Sequence, residues 1–328
     1  MKNYIYIFCC ISFAICGCGN ANNNNSINTI NYNQNIWKDI TIKSTPEPLK
    51  LPQIYDIEKM TKFGKYLLIK NSDVEPTFAL LDVNNMKEIT SWGYIGQGPN
   101  EYLETVLLID GNDDYIRTFD KYELRKYSLQ NDSITCLSII DCNKEPNFLE
   151  SIYAINDSLV FGYKYAPHEI GLHLMNIKTQ ESYTSLTAKE GYFDNKDTPY
   201  EFNFTIHKDK IVIGRKHFNQ IEIYNIDYRQ KTIKEQCIIN FNNATANRIK
   251  KDRFYYMINI NADDNYIYTL NQDTDKPGKK TYVDIFSWDG AIVRRIELDD
   301  LYLHGVLIDN ALYLKSYNND DYIYRLSL

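Results

Sequence analysis

Five histidines, three cysteines beyond residue 18 and several Asp/Asn runs are the side chains here with the means for chemistry. A zinc hydrolase needs His-Glu-x-x-His, a serine hydrolase Gly-x-Ser-x-Gly, and a nucleotide enzyme a glycine-rich phosphate loop. The sequence has none of these, and its histidines (His168, His173, His207, His217, His304) are scattered. His207 and His217 flank one expected strand pair and could meet, but a strand-surface role explains them more simply. No catalytic residue is assigned. The runs Asp110-Gly111-Asn112-Asp113-Asp114, Asp263-Asp264-Asn265, Asp299-Asp300 and Asn318-Asn319-Asp320-Asp321 offer the oxygens that calcium takes. Against the EF-hand template, Asp110, Asn112 and Asp114 match the first three ligands. Tyr115 then replaces the required glycine and Lys121 the required glutamate, so the template fails. Turn chemistry accounts for the runs, because Asp and Asn bond their own backbone and tolerate left-handed conformations. No metal site or cofactor is expected; calcium is the one ion these oxygens would suit. Cys136, Cys142 and Cys237 are too few and too odd for a disulfide framework. Cys136 and Cys142 either close a small loop in an oxidising compartment or stand as free thiols on strands.

Other features concern binding. Trp37, Trp92 and Trp288 could stack on carbohydrate or peptide, yet all fall on or beside expected strands, where packing is their default role. Asp132-Ser133-Ile134 and Asp157-Ser158-Leu159 resemble the Asp-Ser/Thr-aliphatic O-glycosylation motif of some bacterial envelope proteins, and both sit where a tight turn is expected. The formal net charge of −7 excludes a nucleic-acid partner, which needs a basic stripe, and argues against docking on anionic lipid.

The amino terminus is organised for export. Lys2 precedes an apolar run from Tyr4 to Ile15, too short to span a bilayer but right for a signal segment. Ile15-Cys16-Gly17-Cys18 follows and resembles the lipobox of bacterial lipoproteins. The resemblance implies cleavage after Gly17 and lipid on the Cys18 thiol; Cys16 is the poorer choice because Ile15 before it is not small. Residues 1–17 are then the signal peptide. The Asn-rich stretch 18–35 cannot bury apolar area and is expected to be a flexible tether.

Residues 36–328 alternate short strands with polar turns. Tyr, at 28 residues, suits such half-buried pleated surfaces. Turn residues 64, 114, 157, 209, 265 and 310 each open a similar unit, roughly 43 to 56 residues apart, the size of one four-stranded propeller blade. The expected fold is all-β, a six-bladed β-propeller. Its last unit has only three strands, and Ile36 to Ile42 is expected to supply the fourth and close the ring.

Between the first two units lies Gly93-Tyr94-Ile95-Gly96-Gln97-Gly98-Pro99-Asn100-Glu101-Tyr102. It resembles the Gly-x-Gly-Pro-x-Glu-aromatic linker of TolB-like six-bladed propeller lipoproteins, and more loosely the inter-blade loop of NHL repeats. Gly96 and Gly98 are expected to take positive φ, Pro99 to stiffen the turn, Glu101 to accept loop N–H bonds and Tyr102 to plug between blades. The resemblance implies a lipid-anchored (palmitoylated) envelope protein of the outer membrane, facing either side. It would bind a glycan, peptide or protein partner. The alternative is a metal-dependent hydrolase or lyase of lactonase-like type.

Overall fold

The computed structural model describes residues 28–96, 98, 101–102, 107–111, 115–120, 123–142, 151–164, 171–187, 202–216, 220–241, 257–272 and 280–328. Three short strands come first, β1 (Asn28–Tyr32), β2 (Thr41–Ser44) and β3 (Glu47–Lys50), with a helical turn α1 (Trp37–Ile40) after β1. Strands then run in consecutive antiparallel meanders. The first is β4 (Ile57–Phe63), β5 (Tyr66–Asn71), β6 (Phe78–Asp82) and β7 (Glu88–Trp92). The second is β8 (Leu107–Gly111), β9 (Ile116–Asp120), β10 (Glu123–Gln130) and β11 (Ser133–Asp141). The third is β12 (Ile152–Ala154), β13 (Leu159–Lys164), β14 (Gly171–Asn176) and β15 (Ser182–Thr187). Next come β16 (Phe202–His207), β17 (Lys210–Arg215), β18 (Gln220–Asp227) and β19 (Thr232–Phe241). The fifth is β20 (Met257–Ala262), β21 (Tyr266–Gln272), β22 (Thr281–Ser287) and β23 (Ile292–Leu298). The chain ends on β24 (Tyr302–Ile308), β25 (Ala311–Ser316) and β26 (Tyr322–Ser327). β8 and β12 also pair in parallel, so the described strands form five sheets, none closed on itself.

Local sequence explains the meanders. The connection from first to second strand falls on the polar turn positions, and Gly64, Lys208 and Asp309 there have φ of 55°, 55° and 51°. Two-residue hairpin turns demand such left-handed backbone. In five meanders the third and fourth strands slip by one residue, at Leu80/Leu81, Lys126/Tyr127, Leu174/Met175, Ile223/Tyr224 and Ile285/Phe286. A bulge at one recurrent place adds twist to the outer half of each sheet.

Second strands read as unbroken apolar runs because both their faces are covered. Leu67, Leu68, Ile69, Ile211, Val212 and Ile213 are at most 1% exposed. Leu67 and Ile69 pack with Val306 and Tyr313 of the last sheet, while Leu68 between them faces Tyr102 and Ile116 of the next. Among the described residues six clusters of this kind form, one wherever consecutive meanders meet, including the last with the first. Each fully buried aliphatic side chain contributes about 1.5–3 kcal/mol, so these inter-sheet seams hold the molecule together.

The chain's beginning is distributed over its end. β3 pairs antiparallel with β26, Leu49 opposite Ile323 and Pro48 opposite Tyr324, giving the last meander its fourth strand. The expected closing run Ile36–Ile42 does not do this. Its Trp37 turns inward as part of α1, 6% exposed, with ring centroids 5.4 Å from Phe241 and 6.2 Å from Phe286, under the Arg295 guanidinium at 3.9 Å. β2 then adds in parallel to β23, and β1 in parallel to β19. Residues 28–32 therefore depart from the tether expected over 18–35. Their Ile30 packs on Gly290, and Tyr32 donates its hydroxyl to the Gly290 carbonyl at 3.1 Å and stacks on Phe241. No helix of the described residues is long and apolar enough to cross a membrane.

Candidate functional site

The first strands of the meanders touch one another in sequence around a common centre. Lys59 of β4 reaches Asp110 of β8 at 2.8 Å and the Leu108 carbonyl at 3.1 Å. β8 pairs with β12, and Tyr153 of β12 donates to the Ile206 carbonyl of β16 at 3.0 Å. Asn203 of β16 donates to the Met257 and Ile258 carbonyls of β20 at 3.2 and 2.9 Å. Asn261 of β20 donates to the Gly305 carbonyl of β24 at 3.0 Å and accepts the Leu307 N–H at 3.1 Å. β24 lies against β4. These strands enclose a cavity of about 980 Å³ lined by residues from all of them.

The cavity wall mixes polar and apolar side chains, and the charges facing its His304 are paired. Besides Lys59 with Asp110, Lys70 holds Glu58 at 2.5 Å, and Lys315 holds Asp320 along with the Ser316 and Asn319 carbonyls. Where β24 meets β20 and β4, the half-buried His304 lines the cavity. Burial, helped by the Lys315 and Lys59 ammoniums, lowers its pKa from the usual imidazole value; Glu58 opposes the shift. The ring is therefore held neutral. Glu58, Ile258 and Leu303 are the extra residues of bulges at matching places in β4, β20 and β24. Bulges re-aim side chains, and here they do so at the cavity.

His207 stands at the opposite end of β16. Its Nε2 lies 2.6 Å from Asp264, which Lys208 also binds, and its ring stacks on Trp288. The hydrogen bonds from Lys208 and His207 pull the Asp264 carboxyl below the ordinary range. His217 and His168 lie outside the described residues, and His173 is buried with Ser182 3.2 Å from its Nδ1. Trp92 stacks on Phe78, and Trp288 donates to the Asp263 carbonyl at 2.9 Å, so all three tryptophans pack.

The acidic runs serve their own turns. Asp263 accepts the Asn265 and Tyr266 N–H groups at 2.7 and 2.8 Å, and the Tyr268 hydroxyl at 2.7 Å. Asp300 accepts from Leu301, Ser316 and Asn318. Asn112 and Asp114 lie outside the described residues. Among the described residues no three His, Cys, Asp or Glu side chains gather to hold a metal ion. Cys136, Cys142 and Cys237 are free thiols.

The linker between the first two meanders is built around Glu101. Its carboxylate accepts the Gly98 N–H at 2.6 Å, and a Cβ on Gly96 would lie 2.0 Å from its Oε2. Neither Gly96 nor Gly98 has the expected positive φ; within this linker Gly93 does, at 86°. The glycines at 96 and 98 are required by close approach instead. Tyr102 is fully buried between the two meanders, its hydroxyl 2.7 Å from the Tyr127 hydroxyl, its ring on Phe78 and under the Arg125 guanidinium. Burial, with Tyr127 alongside, pushes its phenol far above the ordinary value. Pro99 and Cys18 lie outside the described residues.

The two ends of the meanders differ. Connections from first to second strand are short, as from Phe63 to Tyr66 and His207 to Lys210. Those from one meander to the next, at the other end, include 93–106, 142–151, 188–201 and 242–256. Long connections carried on a rigid scaffold are where binding residues concentrate.

No family model matches the sequence, and no curated protein matches it. Solved structures do match in fold. A member of the DUF4221 family from Bacteroides vulgatus superposes with a TM-score of 0.58 at 15% identity, covering 87% of this chain and 96% of its own. A protein of Bacteroides fragilis whose name describes it as exported gives 0.58 at 12% identity, covering 92% and 99%. Luciferin-regenerating enzyme, a β-propeller, gives 0.53 at 13% identity, covering 86% and 95%. At such identities the likeness extends to the fold alone: the chain is an all-β protein of propeller type.

Proposed function

We propose that this chain is a lipid-anchored envelope protein whose six-bladed propeller binds a ligand in its central cavity and performs no catalysis. The observation that carries this reading is the cavity ringed by the first strands. It measures about 980 Å³ and is lined by polar and apolar side chains from all of them. A metal-dependent hydrolase needs a bound ion, and among the described residues no three His, Cys, Asp or Glu side chains gather to hold one. Six seams joined in a circle support the blade count. The Ile15-Cys16-Gly17-Cys18 run supports the anchor, with Cys18 as the lipidated residue and residues 1–17 as signal. The exported neighbour of Bacteroides fragilis agrees with an envelope location, here assigned to the outer membrane. Kinship with TolB-like propeller lipoproteins rests on the linker from Gly93 to Tyr102.

Metal analysis of the purified protein tests the absence of catalysis. The binding reading expects no stoichiometric divalent ion and no change of melting temperature on chelation. A bound ion whose removal lowers the melting temperature would favour the lactonase-like alternative.

A further inference from the structure

We propose that the wall around His304 is a binding site for an uncharged, hydroxyl-rich ligand, a neutral sugar unit. This rests on the reading of the cavity as a binding site and names what it takes.

His304 lines the cavity, and its imidazole makes no hydrogen bond among the described residues. A half-buried polar group without a partner costs stability unless something completes it. Held neutral, the ring presents one donor and one acceptor. A hydroxyl group, itself both donor and acceptor, answers that pair. On the neighbouring strand β20, Asn259 uses its Oδ1 to accept from Asn261 at 2.6 Å, which leaves its Nδ2 with no partner. Asn259 lines the same cavity as His304.

The surrounding charges argue for a neutral ligand. Lys59, Lys70 and Lys315 are each engaged by Asp110, Glu58 and Asp320. Beside His304, which faces Lys315, Lys59 and Glu58, an anion would have to break one of these pairs, and a cation would compete for a carboxylate already held. A metal is disfavoured, since no three metal-binding side chains gather among the described residues. A peptide is disfavoured too, because strand addition needs free main-chain groups. Here Asn203 and Asn261 already occupy the Met257, Ile258, Gly305 and Leu307 main-chain groups. The bulge residues Ile258 and Leu303, with Phe204, add apolar surface to the same cavity. That mixture suits a pyranose, which has polar edges and apolar faces.

The test is titration calorimetry on the full chain with five probes. Three are neutral trisaccharides (maltotriose, cellotriose, chitotriose). The others are trigalacturonate and end-capped trialanine. At least one neutral trisaccharide should bind. His304→Ala should weaken that binding roughly tenfold, the loss of one well-placed hydrogen-bonding pair. Asn259→Leu should weaken it as well, and His304→Gln, which keeps a donor and an acceptor, should stay within about threefold of wild type. Melting temperatures of the variants report whether each is folded. Unchanged affinity in folded His304→Ala overturns the site. Binding of trigalacturonate or the peptide alone, lost in His304→Ala, overturns the sugar class but leaves the cavity as a binding site. Failure of all five probes on wild type overturns both readings.

Discussion

Gly96 and Glu101 form a pair in which one residue's absence makes room for the other. A methyl group at Gly96 would meet the Glu101 carboxylate at 2.0 Å, well inside any tolerable contact. Gly96→Ala should therefore destabilise by about 1–3 kcal/mol in urea titrations, the usual cost of overpacking. In a Glu101→Ala background the same substitution should cost under about 0.5 kcal/mol, which is the signature of direct coupling. Equal cost in both backgrounds would rule out the steric account. Asp157 supplies a second prediction. Lys126 and Arg117 hold it at 2.8 and 2.7 Å and lower its carboxyl pKa, the Lys126 hydrogen bond most of all. A depressed folded pKa stabilises above the unfolded value of about 3.8 and loses that contribution as pH falls through the folded pKa. Melting temperature should thus drop more steeply between about pH 4 and 2 in wild type than in Asp157→Asn. Parallel curves would show that this half-exposed pair carries no pH-dependent stability. At this scale the sequence announced the linker but hid the cavity. Glu58, Asn259 and His304 come from three strands distant in sequence, and no local pattern joins them.

The strap formed by β1, α1, β2 and β3 covers the outer edges of three consecutive sheets. Its anchor is Trp37, and Trp37→Ala should cost about 3–5 kcal/mol in chemical denaturation, in line with other large-to-small changes at buried aromatics. A loss below about 1 kcal/mol would mean the strap is dispensable. Sequence reasoning placed the repeat well, because turn positions near 64, 209 and 310 and unbroken apolar second strands are local signals. It misplaced the closing strand by about ten residues for a physical reason. Pro46 and Pro48 flank Glu47 and speak against a strand interior, where proline lacks the donor a ladder needs. At an outer edge that donor is not required, and Pro48 lies opposite Tyr324 without penalty. Ile36–Ile42 had the better alternation, yet Trp37 gains more by turning into the seam between Phe241 and Phe286.

At the scale of the whole molecule, the strap shortens the leash. With β1 beginning at Asn28, only residues 19–27 separate the proposed lipid anchor from folded structure. Nine extended residues span at most about 32 Å, so the propeller should ride close to the bilayer. Cys18→Ala should move the protein from the membrane to the soluble fraction with its melting temperature unchanged. Retention in membranes, with Cys16→Ala now soluble, would shift the anchor to Cys16.

Glu47–Lys50 is made early by the ribosome, yet its pairing partner, Tyr322–Ser327, is made after every other described strand. The segment must wait until those strands have been made before it has a place to dock. A chain broken anywhere before its final hairpin leaves that segment unpaired and one sheet margin bare, an invitation to proteolysis or self-association. Synthesis of β26 is thus a condition for this latch to engage.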